Sequence, residues 1–107
     1  MKRGDLVTIA PQGAYGKPRP ALVVQSDLFA RHPSVTILPV TSELRETPLF
    51  RVEIKPTTEN GLEHLSQVMI DKLQTVPCEK VGDIFGRVDD KTMLAVNRAL
   101  AVWLGFA

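Results

Sequence analysis

A chain of 107 residues has the length of one domain, and 44% hydrophobic with 23% charged residues is the balance of a folded protein, with no segment polar enough to stay disordered. Thirteen Lys and Arg against twelve Asp and Glu leave a formal charge of +1, which excludes the global basic field of a non-specific nucleic-acid binder, so any nucleic-acid site must be a local patch. The single cysteine, Cys78, excludes an intrachain disulfide and a cysteine-based metal motif. The charged N-terminus lacks a signal-peptide core and no run nears the ~20 apolar residues of a membrane helix, so a cytoplasmic protein without membrane association is expected.

In chain order, residues 5–10 read as a strand ended by Pro11. Gln12-Gly13-Ala14-Tyr15-Gly16-Lys17-Pro18 is a glycine-spaced loop. Arg19-Pro20 then opens an apolar, β-branched run at residues 21–25, the length of a buried strand. Ser26-Asp27 is an N-cap signal for one helical turn before Pro33. Residues 35–41 form the next strand, and Pro39 within it, which cannot donate to a ladder, predicts an edge position or a bulge.

Residues 50–54 alternate apolar and charged side chains at period two, as a half-exposed strand does. A turn cluster at 56–61 precedes two short strands, at 66–70 and 73–76, the second ended by Pro77. A short strand or turn lies over 81–88, between Gly82 and Gly86. The last element is a helix over 91–104, capped by Asp89 or Asp90 and stopped by Gly105. Met93, Val96, Leu100, Trp103 and Leu104 mark one face, while Leu94, Ala101 and Val102 spill onto another, so the helix has two surfaces to cover: its own barrel and a partner chain. Several short strands and a terminal helix predict a mainly β protein with a C-terminal α-helix, a small barrel closed or plugged by that helix.

Four stretches carry a family likeness: Arg3-Gly4-Asp5-Leu6-Val7; Lys17-Pro18-Arg19-Pro20 running through Gln25-Ser26-Asp27; Leu38-Pro39-Val40-Thr41-Ser42; and Ser66-Gln67-Val68-Met69-Ile70-Asp71-Lys72, continuing through residues 81–88 into the helix. In this order and spacing over nearly the whole chain, they resemble the MazF/PemK toxins of toxin–antitoxin systems. The resemblance implies an SH3-like, CcdB/MazF-type barrel in a single domain over residues 1–107, and a symmetric homodimer. It further implies cleavage of single-stranded RNA at a short motif without metal or other cofactor, and neutralisation by a cognate MazE-like antitoxin.

Such cleavage uses the RNA's own 2′-hydroxyl as nucleophile and leaves a 2′,3′-cyclic phosphate and a 5′-hydroxyl, so the site must mainly move protons and spread charge off a phosphorane-like transition state. Arg19, between two prolines at the mouth of a buried strand, is the first candidate, because a guanidinium fork fits phosphate oxygens; its plain alternative is an arginine held in an ion pair. Thr41 ends a strand where a hydroxyl can donate to a phosphate, and Ser42 is its neighbour. Gln67 is the third catalytic candidate and Ser66 its RNA-contacting neighbour, in a segment where some family members carry a carboxylate that is missing here. A glutamine that only satisfies backbone groups is the alternative. His64 can reach the site from its loop, and Gln12, Tyr15 and Lys17 can stack on a base and touch phosphates. Neither histidine has metal-ligand spacing.

Two other functions share this fold: a CcdB-like gyrase poison that performs no chemistry, and an SH3-like module whose groove binds a peptide. The widely apolar helix predicts an isologous two-fold interface. An antitoxin with an acidic, partly disordered tail is expected to lay an extended segment over Arg19.

Overall fold

The apolar run at residues 21–24 shows no period-two alternation because the strand it forms is covered on both sides. The computed structural model describes residues 1–10 and 16–107. Its strands are β1 (Asp5–Ile9), β2 (Arg19–Val23), β3 (Ser34–Thr41), β4 (Arg51–Ile54), β5 (Ser66–Met69), β6 (Gln74–Pro77) and β7 (Val81–Arg87), followed by the helix α1 (Asp90–Leu104). Three 3-10 turns lie at Asp27–Phe29, Ile70–Lys72 and Cys78–Lys80. Leu6, Leu22, Leu38 and Val40 point to one face of β1 to β3 and pack with Val68, Ile70, Met93 and Val96. Val7, Ala21, Val23, Val35 and Ile37 point to the other and form a second cluster with Ile9, Val76, Cys78 and Val81 around it.

All pairings are antiparallel, in the order β4-β5-β3-β2-β1-β7, with β6 also on β3. The eight residues of β3 organise the sheet. One side of β3 pairs with β2, while the other pairs first with β6, from Ser34↔Pro77 to Ile37↔Gln74, and then with β5, at Val40↔Val68 and Thr41↔Gln67. Pro39 therefore does not mark an edge or a bulge, as the sequence predicted. Its strand is central, and the proline sits opposite Ala21 where β3 passes from one partner to the next.

Only the residues Cys78–Lys80 join β6 to β7, which lie at opposite edges of the sheet β6-β3-β2-β1-β7, so the sheet must roll to bring its edges together. The expected barrel is corrected in one respect: among the described residues no ladder joins β6 or β4 to β7, so the sheet curls without closing. A backbone bond from the segment after β4 bridges one gap instead, with Arg87 N–H donating to Glu59 O at 2.9 Å, while Ala10 N–H to Lys80 O at 2.9 Å extends the β1–β7 ladder by one rung. The bridge depends on buried Asn60, whose Oδ1 accepts from Thr57 N–H and Leu62 N–H, both at 3.0 Å, and whose Nδ2 donates to Lys55 O at 2.8 Å. A side chain at Gly86 would collide with the Asn60 carbonyl, which is why the backbone there is bare.

The helix begins and ends where its signals lie. Asp89 Oδ1 accepts from Thr92 N–H at 2.8 Å, and Gly105 takes a left-handed φ of 81°. Met93 and Val96 face the sheet, while Leu94, Val102, Trp103 and Leu104 are exposed. Trp103 leans on Phe50 with ring centroids 5.8 Å apart.

Two of the quoted motifs are explained by packing. Asp5 forms an ion pair with Arg87 at 2.9 Å, Gly4 has a φ of 96°, and Arg3 bonds Val24 O and Asn97, tying the N-terminus to α1. Gln25 bridges Phe29 O, Ser34 O and Thr36 N–H, Ser26 caps the 3-10 turn, and Asp27 accepts from Arg3 N–H at 2.7 Å.

Candidate active site

Strand register assembles the site. Ile9 lies opposite Arg19, and Thr41 opposite Gln67, itself opposite Glu53. The β2–β3 pairing runs Val23↔Ile37, Leu22↔Leu38, Ala21↔Pro39, and two further residues along each strand bring Arg19 beside Thr41. Residues opposite one another in antiparallel strands share a face, so Arg19, Thr41 and Gln67 form one row across β2, β3 and β5. With strands about 4.8 Å apart, the row spans roughly 10 Å, the scale of one or two nucleotides.

Arg19 and Thr41 open into a groove of about 460 Å³ at the end of the rolled sheet. Ile9, Ala21, Ile37 and Val76 give it an apolar floor, while Gln74, Thr75 and Lys80 complete its polar side. Its lining holds two cations, Arg19 and Lys80, and no carboxylate among the described residues. This is the local patch that a chain of net charge +1 requires. Arg19 is exposed and, among the described residues, belongs to neither ion pair, since those join Arg45 to Glu43 and Arg87 to Asp5. Thr41 Oγ1 accepts from Glu43 N–H at 3.0 Å, which leaves the hydroxyl proton free to point into the groove.

Other residues expected at the site are placed differently. Gln67 is 4% exposed and lines a neighbouring notch with Arg45, Arg51 and Glu53 instead of the groove. Its Oε1 accepts from Arg45 N–H and Arg51 Nη1, and its Nε2 donates to Arg45 O, each at 3.0 Å. Its amide is thus occupied with protein groups. Ser66, expected to touch RNA, is buried, and its hydroxyl donates to His64 O at 2.8 Å, closing a local turn. His64 and Ser42 are exposed but outside the groove lining, and Lys17 is exposed just before β2. Gln12 and Tyr15 lie outside the described residues. Sequence reasoning missed Lys80, Gln74 and Thr75, because only the roll of the sheet brings β6 and the turn after it over β2. Among the described residues, no three His, Cys, Asp or Glu side chains converge as metal donors.

A curled antiparallel sheet with a cationic groove and a helix across one face defines a small, mainly β protein with one C-terminal helix. Residues 2–104 match the model of the PemK-like, MazF-like toxins of type II toxin–antitoxin systems, and the chain belongs to that family. It is 45% identical to a probable endoribonuclease MazF of Mycolicibacterium smegmatis, over 100% of this chain and 99% of that one. It is 28% identical to the endoribonuclease EndoA of Bacillus subtilis, over 97% and 94% of the two chains. Its fold superposes with a TM-score of 0.85 and 30% identity on a mycobacterial endoribonuclease solved in complex with its cognate antitoxin, over 100% of this chain and 97% of that one.

Proposed function

We propose that this chain is a metal-independent endoribonuclease toxin that cuts single-stranded RNA at a short motif, leaving 2′,3′-cyclic phosphate and 5′-hydroxyl ends. The observation that carries the reading is the pair Arg19 and Thr41 facing one carboxylate-free groove.

An RNA strand in that groove brings its scissile phosphate between the two side chains. The Arg19 fork takes non-bridging oxygens, and the Thr41 hydroxyl donates a further hydrogen bond. As the 2′-oxygen bonds to phosphorus and the bond to the 5′-oxygen breaks, negative charge grows on the oxygens these donors hold, so both contacts strengthen toward the transition state. Among the described residues the lining offers hydrogen-bond donors for the phosphate and no imidazole or carboxylate.

The same groove suits the antitoxin. An extended acidic segment laid across Arg19 and Lys80 meets complementary charge and excludes RNA, which gives neutralisation by direct competition. The toxin acts in the cytoplasm as a homodimer with an SH3-like, rolled architecture in each protomer. Leu94, Val102, Trp103, Leu104 and Phe106 are exposed apolar side chains of the C-terminal segment that a partner protomer would cover.

Purified protein incubated with a long single-stranded RNA in EDTA is expected to give discrete fragments with 5′-hydroxyl ends, and Arg19→Ala to lower the rate by about 100-fold or more. RNA left intact together with stalled gyrase would overturn this reading in favour of a CcdB-like poison. Intact RNA with capture of an extended peptide alone would favour a peptide-binding module.

A further inference from the structure

The segment that leaves β3 after Thr41 has no secondary structure of its own, yet its backbone is fastened at four points. Glu43 N–H donates to Thr41 Oγ1 at 3.0 Å, and Glu43 O accepts from Arg51 Nη1 at 2.8 Å. Arg45 N–H and Arg45 O are both engaged by the Gln67 carboxamide, each at 3.0 Å. Arg51 Nη1 also donates to Gln67 Oε1 at 3.0 Å, so the two side chains that hold the segment also hold each other. A carboxamide paired with both the N–H and the C=O of one residue fixes that peptide in plane and register, as a neighbouring strand would. This happens at the end of β3, where β5 supplies its last ladder pair, Thr41↔Gln67.

From this geometry we infer that Gln67 and Arg51 are positioning residues for Thr41: together they clamp residues 43–45 so that Glu43 N–H holds the Thr41 hydroxyl oxygen and turns its proton toward the scissile phosphate. The inference rests on the nuclease reading and assigns Gln67 a role away from RNA. It also gives Arg51 a role distinct from that of Arg19, although both are arginines at strand starts in one small sheet. Among the described residues Arg19 belongs to no ion pair at the groove, whereas Arg51 spends its Nη1 on a backbone carbonyl and an amide oxygen. A hydroxyl lone pair filled by a fixed N–H narrows the directions open to its proton, and misplacing a donor by an ångström costs up to about 100-fold in rate.

The clamp has signatures in both structure and kinetics. Gln67→Met and Arg51→Met keep side-chain length and remove the hydrogen bonds. Each is expected to lower kcat by roughly 10- to 100-fold with KM for a single-stranded RNA within about twofold of wild type, because the lost contact matters in the transition state. In a Thr41→Val background, which has no hydroxyl to aim, either substitution is expected to change kcat by less than about twofold, whereas in an Arg19→Lys background its full effect persists. Independently of cleavage, amide exchange at Glu43 and Arg45 is expected to be slow in wild type and fast in both Met variants, with the rest of β3 still protected. Full additivity with Thr41→Val, or unchanged exchange at Glu43 and Arg45, overturns the clamp while leaving the nuclease reading intact. A wild type that cuts no RNA sinks the nuclease reading and the catalytic role of the clamp together, and the exchange data then report only a structural brace. Should Gln67→Met unfold the chain, the half-buried end of the same network, Arg51→Met, decides the matter alone.

Discussion

On the proposed nuclease reading, arginine and threonine do different work in the groove, and a lysine that lines it does a third kind. Arg19 presents a planar fork that stays charged throughout, and Thr41 presents a hydroxyl proton. Lys80 closes the 3-10 turn before β7 and lines the same groove. On that reading a lysine there is a point charge for the RNA backbone and adds little to the geometry of the reacting phosphate. Lys80→Ala is therefore expected to weaken single-stranded RNA binding and to reduce the slope of log affinity against log salt by about 0.7, the value for one phosphate contact on a single strand, with kcat nearly unchanged. Titrating RNA affinity between low and moderate salt in both proteins checks this; an unchanged slope means Lys80 touches no phosphate.

That contrast also shows what the sequence could reveal about the site. Arg19 was legible because two prolines and a buried run around it fix where its strand begins. Thr41 was legible through the family likeness of Leu38-Pro39-Val40-Thr41-Ser42, at the end of a strand whose start is recognisable. Gln67 could be placed in a segment but not in a role, because its partners, Arg45 and Arg51, are set by a cross-strand register that no local pattern encodes. Lys80 was invisible for a related reason: its place in the same groove as Arg19 depends on the roll of the sheet, a property of five strands together.

Among the secondary elements, the helix was the most legible, because both of its ends carry local chemistry. Asp89 holds Thr92 through its carboxylate, and hydrogen bonds from the Thr92 side chain and backbone keep the Asp89 pKa below its ordinary value. A carboxyl with a depressed folded pKa stabilises the fold above its unfolded pKa of about 3.9, and that stabilisation fades as pH falls through the lower folded value. Asp89→Ala is expected to melt at a lower temperature than wild type at pH 5 to 7, with the gap closing below about pH 3.9. Thermal melts of both proteins across that range measure it, and a gap independent of pH would mean the carboxylate is not the cap. The strands were legible where alternation or a continuous apolar run marked them. The location of β3 was misread, since Pro39 normally signals an edge, and here the handover from β6 to β5 leaves room for a residue without an N–H. The lesson is topological: a proline tells where one ladder bond is missing and leaves the strand's rank in the sheet open.

At the scale of the whole molecule, the unresolved balance lies between the two sides of α1. One side packs Met93 and Val96 onto the sheet, while Val102 and Phe106 are 55% and 81% exposed. Trp103 and Leu104, each about half exposed, lie between these and the Phe50 contact. Apolar area removed from water yields about 25 cal/mol per Å², so a two-fold axis that brings this face against its own copy turns an exposed liability into an interface. Because each side chain would meet the partner, a single charge introduced there appears twice in the dimer and is desolvated twice. The wild type is expected to sediment at twice 11.8 kDa at micromolar concentration, and Val102→Glu or Phe106→Glu to sediment as folded monomers, since both side chains already point to water within one protomer. A monomeric wild type removes the dimer altogether. A wild-type dimer that both glutamate variants leave intact would move the interface off the helix and onto another face of the sheet.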